Sequence, residues 1–338
     1  MHKTQVLITI DTEFSIAGAL NPSLNVKPVA DPVVCGTYKG KEQGLGFLLD
    51  TFARFNTKAV FFVEAINQCH FGLEPMGRLV ERIAPLHDVQ LHTHPVWAAF
   101  DRDVVRRDRP LFPVNDSLLG RSAEQVDAIL DIGLNTFEAW GLPAPVAIRT
   151  GSLLVEPALY PVFLKQGLRW SSSIGVGIYR PSDSYLNIEH GVVNVEGVKE
   201  LPVTSFIDMP RLRPAHRKTL QVTSCSWPEM RAVLNRAHQE KIDQVVILTH
   251  PFEYFKRKDY RFAVRRPNRV NQQRLVSLCR FLDENRDRFE STDFRTLDQG
   301  VRDAPETRER SLSLSSPSDV LALARMGHNK FNDVVWWY

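Results

Sequence analysis

Short β-branched, apolar runs recur along the chain, and stretches with helical spacing of apolar positions separate them. The runs predicted as strands are Gln5–Ile10, Lys58–Val63, Val89–His92, Pro145–Ile148, Leu168–Ser171, Glu200–Val203 and Gln244–Leu248, with a weaker one at Glu290–Thr292. Several are apolar throughout rather than alternating, as strands covered on both faces tend to be. Between them the spacing predicts amphipathic helices over Gly44–Asn56, Pro75–Ile83, Ser122–Trp140, Glu156–Gln166, Trp227–Glu240 and Arg269–Asn285. Ser226, followed by Pro228 and Glu229, suits the N-cap of the fifth. Strands alternating with helices argue for an α/β protein with a parallel sheet. Seven or eight such units favour a distorted, closed or nearly closed (β/α) barrel; an open doubly wound sheet is the alternative.

Long connections follow several strands: Phe14–Gln43, Pro95–Arg121, Ile174–Lys199 and Ser205–Cys225. Loops at the C-terminal ends of barrel strands are where such a fold builds its site. The barrel is expected over residues 1–300. Beyond Gly300 the composition shifts: Arg302–Ser316 reads as a charged, serine-rich linker, Asp319–Met326 as a short helix, and the remainder ends Val334-Val335-Trp336-Trp337-Tyr338. That tail is expected to dock on the barrel, with a partner or membrane-surface contact as the sharper alternative.

Composition removes several function classes. The 338 residues are 43% hydrophobic and 24% charged, ordinary for a globular protein. A formal charge of +3, with basic residues scattered rather than striped, argues against nucleic acid. Cys35, Cys69, Cys225 and Cys279 are too far apart for a CxxC pair or a zinc ribbon. The start, MHKTQVLITID, enters a strand almost at once without a leader, and no apolar run approaches the roughly 20 residues of a membrane helix. These features suggest a reduced, cytoplasmic protein; nothing in them sets an oligomeric state.

Polar residues at the strand ends bear the chemistry. The first strand ends Ile10-Asp11-Thr12-Glu13, and residues two apart share a face, so both carboxylates can enter one space. The third ends Leu91-His92-Thr93-His94-Pro95, which places two imidazoles on one face, well suited to a divalent ion. A charge directly follows the apolar fourth strand, Ala147-Ile148-Arg149, and needs an acidic partner. The seventh ends Leu248-Thr249-His250-Pro251 on what should be the same rim. Each motif alone is modest, and a lone Asp or His at such a place is more often structural. Their common placement is the strong signal.

In this order the motifs ITIDTE, AVFFV, LHTHP, IRTG and LTHP resemble the polysaccharide deacetylases, the carbohydrate esterase family that includes the NodB chitooligosaccharide deacetylases. The resemblance spans about Gln5 to Leu297 and looks closest to a divergent cytoplasmic branch. It implies a distorted barrel that binds zinc, or cobalt or nickel in its place, through one Asp and two His. Carried over, the ligands would be Asp11, His92 and His94, with His250 as general acid and Arg149 orienting the base. The sequence departs from the family in two places. One residue rather than three separates the histidines, and Glu13 is the only spare carboxylate, so the base is Glu13 or Asp11 itself. The implied reaction is hydrolysis of the N-acetyl (N-acyl) group of a sugar or glycan precursor. Trp97, Phe100, Phe112, Trp170, Phe252, Tyr254 and Phe255 fall near the motif ends, where a few could stack on a carbohydrate while most serve as core or loop anchors.

Other classes fit less well. No G-x-S-x-G turn is present for a serine hydrolase, and Gly44-Leu45-Gly46 lacks the third glycine of a dinucleotide loop. An amidohydrolase acting on a small C–N substrate and a catalytically silent glycan-binding or scaffold protein of the same fold are the remaining rivals.

Overall fold

The computed structural model describes residues 2–24, 26–211, 215–300, 313–316 and 318–335. Most of the expected linker and all of Trp336-Trp337-Tyr338 lie outside the described residues. The central element is a nine-stranded sheet. Its strands are β1 (Thr4–Thr12), β2 (Val60–Glu64), β3 (Asp88–Thr93), β4 (Ala147–Thr150), β5 (Trp170–Ser171), β6 (Val193–Val195), β7 (Val198–Glu200), β8 (Gln244–Thr249) and β9 (Phe289–Ser291). The spatial order is β6-β7-β5-β4-β3-β2-β1-β8, and β9 adds to the base of β1. Every pairing is parallel except that of the edge strand β6 with β7.

The sheet curls into a half-barrel with helices outside, the distorted form of a (β/α) barrel. Side chains on its two faces make separate apolar clusters. Leu7, Val60, Phe62, Val246 and Leu248 fill the inside, while Val6, Ile8, Phe61, Leu91 and Ile247 pack outward against the helices. This two-sided burial explains why the strands read as continuous apolar runs.

Of the expected strand Glu200–Val203, only Glu200 is in β7, and Leu201–Val203 lie beyond its end. Pro202 has no N–H to give to a ladder. The neighbouring amides find irregular partners instead: Leu201 donates to Ser171, Val203 to Ile174 and Thr204 to Val246. That last bond ties the β5–β7 side of the sheet to β8.

Helix starts follow their sequence signals. Ser122 with Gln125, and Ser226 with Glu229, form reciprocal capping boxes for the helices Ala123–Ala139 and Trp227–Gln239. The predicted helix over Glu156–Gln166 is shorter, with a 3-10 turn at Pro157–Leu159 and α-helix only over Tyr160–Lys165. Pro161 sits in the first turn, where a missing N–H costs nothing.

The C-terminal helix runs further than predicted, over Asp319–Val334. It docks by polar contacts: buried Arg325 donates to Glu229 Oε1 at 2.6 Å and to Asp208 Oδ2 at 2.8 Å. Leu323, Phe331 and Val334 point outward. No helix among the described residues is long and apolar enough to cross a membrane.

Candidate active site

Register assembles the site. Across the parallel strands Glu64 pairs with His92 and His92 with Arg149, so these three stand level at the C-terminal rim. The last paired residues of β1 and β2 are Thr12 and Val63, which brings Glu13 to the same level. Asp11 is one layer lower, opposite Phe62. His94 lies just past the end of β3. His250 follows β8, whose Thr249 pairs with Ile10.

That difference in height separates the two carboxylates of the first motif. Glu13 Oε2 is 2.6 Å from His94 Nε2 and 3.3 Å from His92 Nε2. Ligand atoms of Glu13, His92 and His94 all lie within 4.8 Å of one another, the spacing of a metal site. Asp11, expected as a ligand, faces a different partner: Arg149 Nη1 donates to its Oδ1 at 2.8 Å. The other oxygen of Asp11 is 3.9 Å from His250 Nε2.

The outer nitrogens of both imidazoles are committed elsewhere. His92 Nδ1 is 2.9 Å from the Arg149 carbonyl oxygen, which can only accept, so Nδ1 donates there and Nε2 is the nitrogen that faces Glu13. His94 Nδ1 is 2.8 Å from Asp116 Oδ2. Carbonyl and carboxylate partners of this kind orient histidine ligands and raise their basicity. The donor set therefore suits a divalent ion such as zinc. Gly151 makes the close approach possible, because a Cβ there would meet His94 Cε1 at 2.8 Å.

Arg149 is wholly buried, and its donors are used on every side. Besides Asp11 it reaches Thr9 Oγ1, the Ser172 carbonyl and Ser172 Oγ at 2.7–2.8 Å. Its guanidinium lies 4.2 Å from the centre of the Phe62 ring. Burying this charge is tolerable because it is paired and each of its three nitrogens donates a hydrogen bond.

His250 is held from below by Glu253. The Glu253 carboxylate accepts from the His250 amide at 2.9 Å, from Thr249 Oγ1 at 2.9 Å and from Gln221 Nε2 at 2.7 Å. Its Oε1 lies 3.3 Å from His250 Nδ1, within ion-pair reach though off the hydrogen-bond angle. Phe252 stacks on the imidazole at 4.8 Å. Burial disfavours charge on His250, but Glu253 and then Asp11 and Glu13 outweigh it and raise its pKa to about 9.

Within the cluster, burial opposes charge on both Glu13 and His94, yet their mutual attraction prevails. Glu13 is held well below the usual carboxylate range, and His94, with Asp116 also beside it, well above the usual imidazole range.

All six polar residues singled out in the sequence meet at one end of the half-barrel, five at the rim and Asp11 one layer below. Three others there had weaker signals. Buried Glu64 accepts from the amides of Ile66 and Asn67 at 2.7 and 3.0 Å, fixing the turn after β2; burial pushes its pKa to about 8. It follows an apolar run just as Arg149 does. Glu253 sits in the HPFE turn, three residues past His250. Asp116 comes from the long loop after β3, where nothing in the pattern marks it. Of the aromatics, Trp97, Phe100, Trp170, Tyr254 and Phe255 are buried anchors, whereas Phe252 borders the open mouth.

No protein-family model matches the sequence, and no curated protein matches it either. Solved structures do. A Mycobacterium smegmatis protein assigned as a polysaccharide deacetylase is 15% identical, aligns over 92% of this chain and 95% of its own, and gives a TM-score of 0.51. A family 4 carbohydrate esterase from Streptomyces lividans, solved with acetate, is 12% identical over 87% of this chain and 94% of its own, with a TM-score of 0.42. A family 4 pseudoenzyme from Bacillus anthracis is 11% identical over 88% and 66%, also at 0.42. The Mycobacterium smegmatis structure shows that the chain has the polysaccharide-deacetylase fold.

Proposed function

We propose that the chain is a metal-dependent hydrolase that removes an N-acetyl (N-acyl) group from a sugar or glycan precursor. The observation that carries this reading is the convergence at one mouth of three potential ligands, an arginine-held carboxylate and a proton-bearing histidine. Such an arrangement brings a base and an acid, 3.9 Å apart, to one reacting amide.

Glu13, His92 and His94 would hold the ion, zinc first, with cobalt or nickel as substitutes. When bound, the ion supplies Lewis-acid polarisation of the acyl group and acidifies water. Asp11 is the base in this reading: Arg149 fixes one oxygen, leaving Oδ2 to accept the proton of the attacking water. His250 is the acid and gives its proton to the departing nitrogen as the C–N bond breaks. Acetate and a free amine result.

Four cysteines without a disulfide among them support the cytoplasmic reading, and with it a precursor rather than a finished wall polymer as substrate. The test is acetate release from N-acetylated sugars by the zinc-loaded chain, with and without a chelator. Chelator-sensitive release is expected. Stoichiometric zinc with no release from any N-acetyl sugar would favour a silent glycan binder.

A further inference from the structure

Beside the rim lies a cavity of about 240 Å³ that includes Glu13, His94 and Asp116. This is at the small end for ligand pockets and suits one substituted ring rather than an extended chain. Phe14, Val33, Val96 and Trp97 give it apolar walls.

Three charged side chains other than His94 line it: Glu13, Asp116 and Arg257. Both carboxylates are committed, Glu13 to His92 and His94, and Asp116 to His94. Arg257 contacts rings only, with its guanidinium 4.3 Å from the centre of buried Phe262 and 6.0 Å from that of Tyr260. Among the described residues no carboxylate pairs with it. It sits on the short hairpin Phe255–Arg257/Arg265–Pro267, paired with Arg265. Stacking on a fixed ring restrains the guanidinium plane before any ligand arrives. A preset fork beside apolar walls is suited to bidentate recognition of a carboxylate or phosphate.

We infer that the substrate bears an anionic group, a carboxylate or a phosphate, within a ring's reach of the scissile amide, and that Arg257 binds it. This deepens the deacetylase reading and rests on it for the position of the amide. It sets the substrate apart from neutral chitooligosaccharides.

Titration calorimetry of the zinc-loaded full chain with N-acetylglucosamine, N-acetylglucosamine 6-phosphate and N-acetylmuramic acid tests the inference. At least one acidic sugar should bind roughly tenfold or more tightly than the neutral one. Arg257→Gln should remove that advantage, and Arg257→Lys should keep part of it. The phosphate and carboxylate arms identify which anion is recognised. Equal affinities for all three sugars, no measurable binding, or a preference that survives Arg257→Gln would overturn the inference. Acetate release, followed separately, distinguishes the two levels. Release from neutral and acidic sugars with equal efficiency would remove the anion preference and leave the hydrolase, whereas Arg257-dependent binding without release would do the reverse.

Discussion

Arg149 extends its guanidinium across the mouth of the half-barrel and donates from Nη1 to Asp11 Oδ1 at 2.8 Å, with the arginine fully buried. The contact joins residues 138 apart in sequence, from strands separated by two others. It determines which of the two first-motif carboxylates is held below the rim and which is left to the histidines.

Removing the cation leaves Asp11 buried beside a hole. Arg149→Met should therefore lower stability by about 3–5 kcal/mol, the usual cost of stranding one member of a buried pair. Arg149→Lys should not restore it, because a lysine cannot reproduce the fork that also reaches Thr9 and Ser172. Urea denaturation measures both variants; a loss below about 1 kcal/mol would show that the pair contributes little.

The carboxylates of Glu253, Asp11 and Glu13 raise the His250 pKa to about 9. A general acid works in its protonated form, so acetate release should fall on the alkaline side of the profile. His250→Gln should reduce kcat by roughly 10²–10⁴, with zinc content unchanged, and the alkaline limb should vanish. Rate–pH profiles of the two proteins, with zinc measured on the same samples, decide the matter.

Glu253 is the first of the charges that hold the His250 pKa up. Glu253→Gln keeps the shape and removes the charge, so the alkaline limb should move to lower pH. A limb that stays in place would assign the proton affinity of His250 to Asp11 and Glu13 instead.

Much of this site was legible because a parallel strand buried on both faces is an apolar run with a sharp end. A charged residue at that end, as in ITIDTE or AIRT, stands out. What the pattern could not give was height. Asp11 and Glu13 share a face by alternation, and only the pairing of Asp11 with Phe62 and of Glu64 with His92 shows which of the two stands level with the imidazoles. Asp116 was illegible for another reason: it acts from a loop, where no periodicity constrains position. The expected strand Glu200–Val203 ends at its first residue: Leu201 and Val203 are apolar enough for a ladder, while Pro202 and tertiary partners take the backbone elsewhere.

At the opposite end of the barrel, His87 packs against Phe52 and Phe61 at 5.5 Å, and burial pushes its pKa down to about 4. The unfolded chain takes up that proton near pH 6.5, so the stability is intact above 6.5 and is lost as pH falls to 4. The loss should be on the order of 3 kcal/mol. His87→Phe should flatten this part of the stability profile, as thermal melts at pH 4.5 and 7 would reveal; an unchanged slope would assign the acid sensitivity to other groups.

The most direct test of the division between the two first-motif carboxylates is zinc affinity, measured by competition with a chromogenic chelator for the unmodified chain, Glu13→Gln and Asp11→Asn. Glu13→Gln should weaken zinc binding by at least a hundredfold, while Asp11→Asn should bind nearly as tightly as the unmodified chain yet release no acetate. Strong zinc binding by Glu13→Gln together with loss of zinc in Asp11→Asn would contradict the assignment and return Asp11 to the metal.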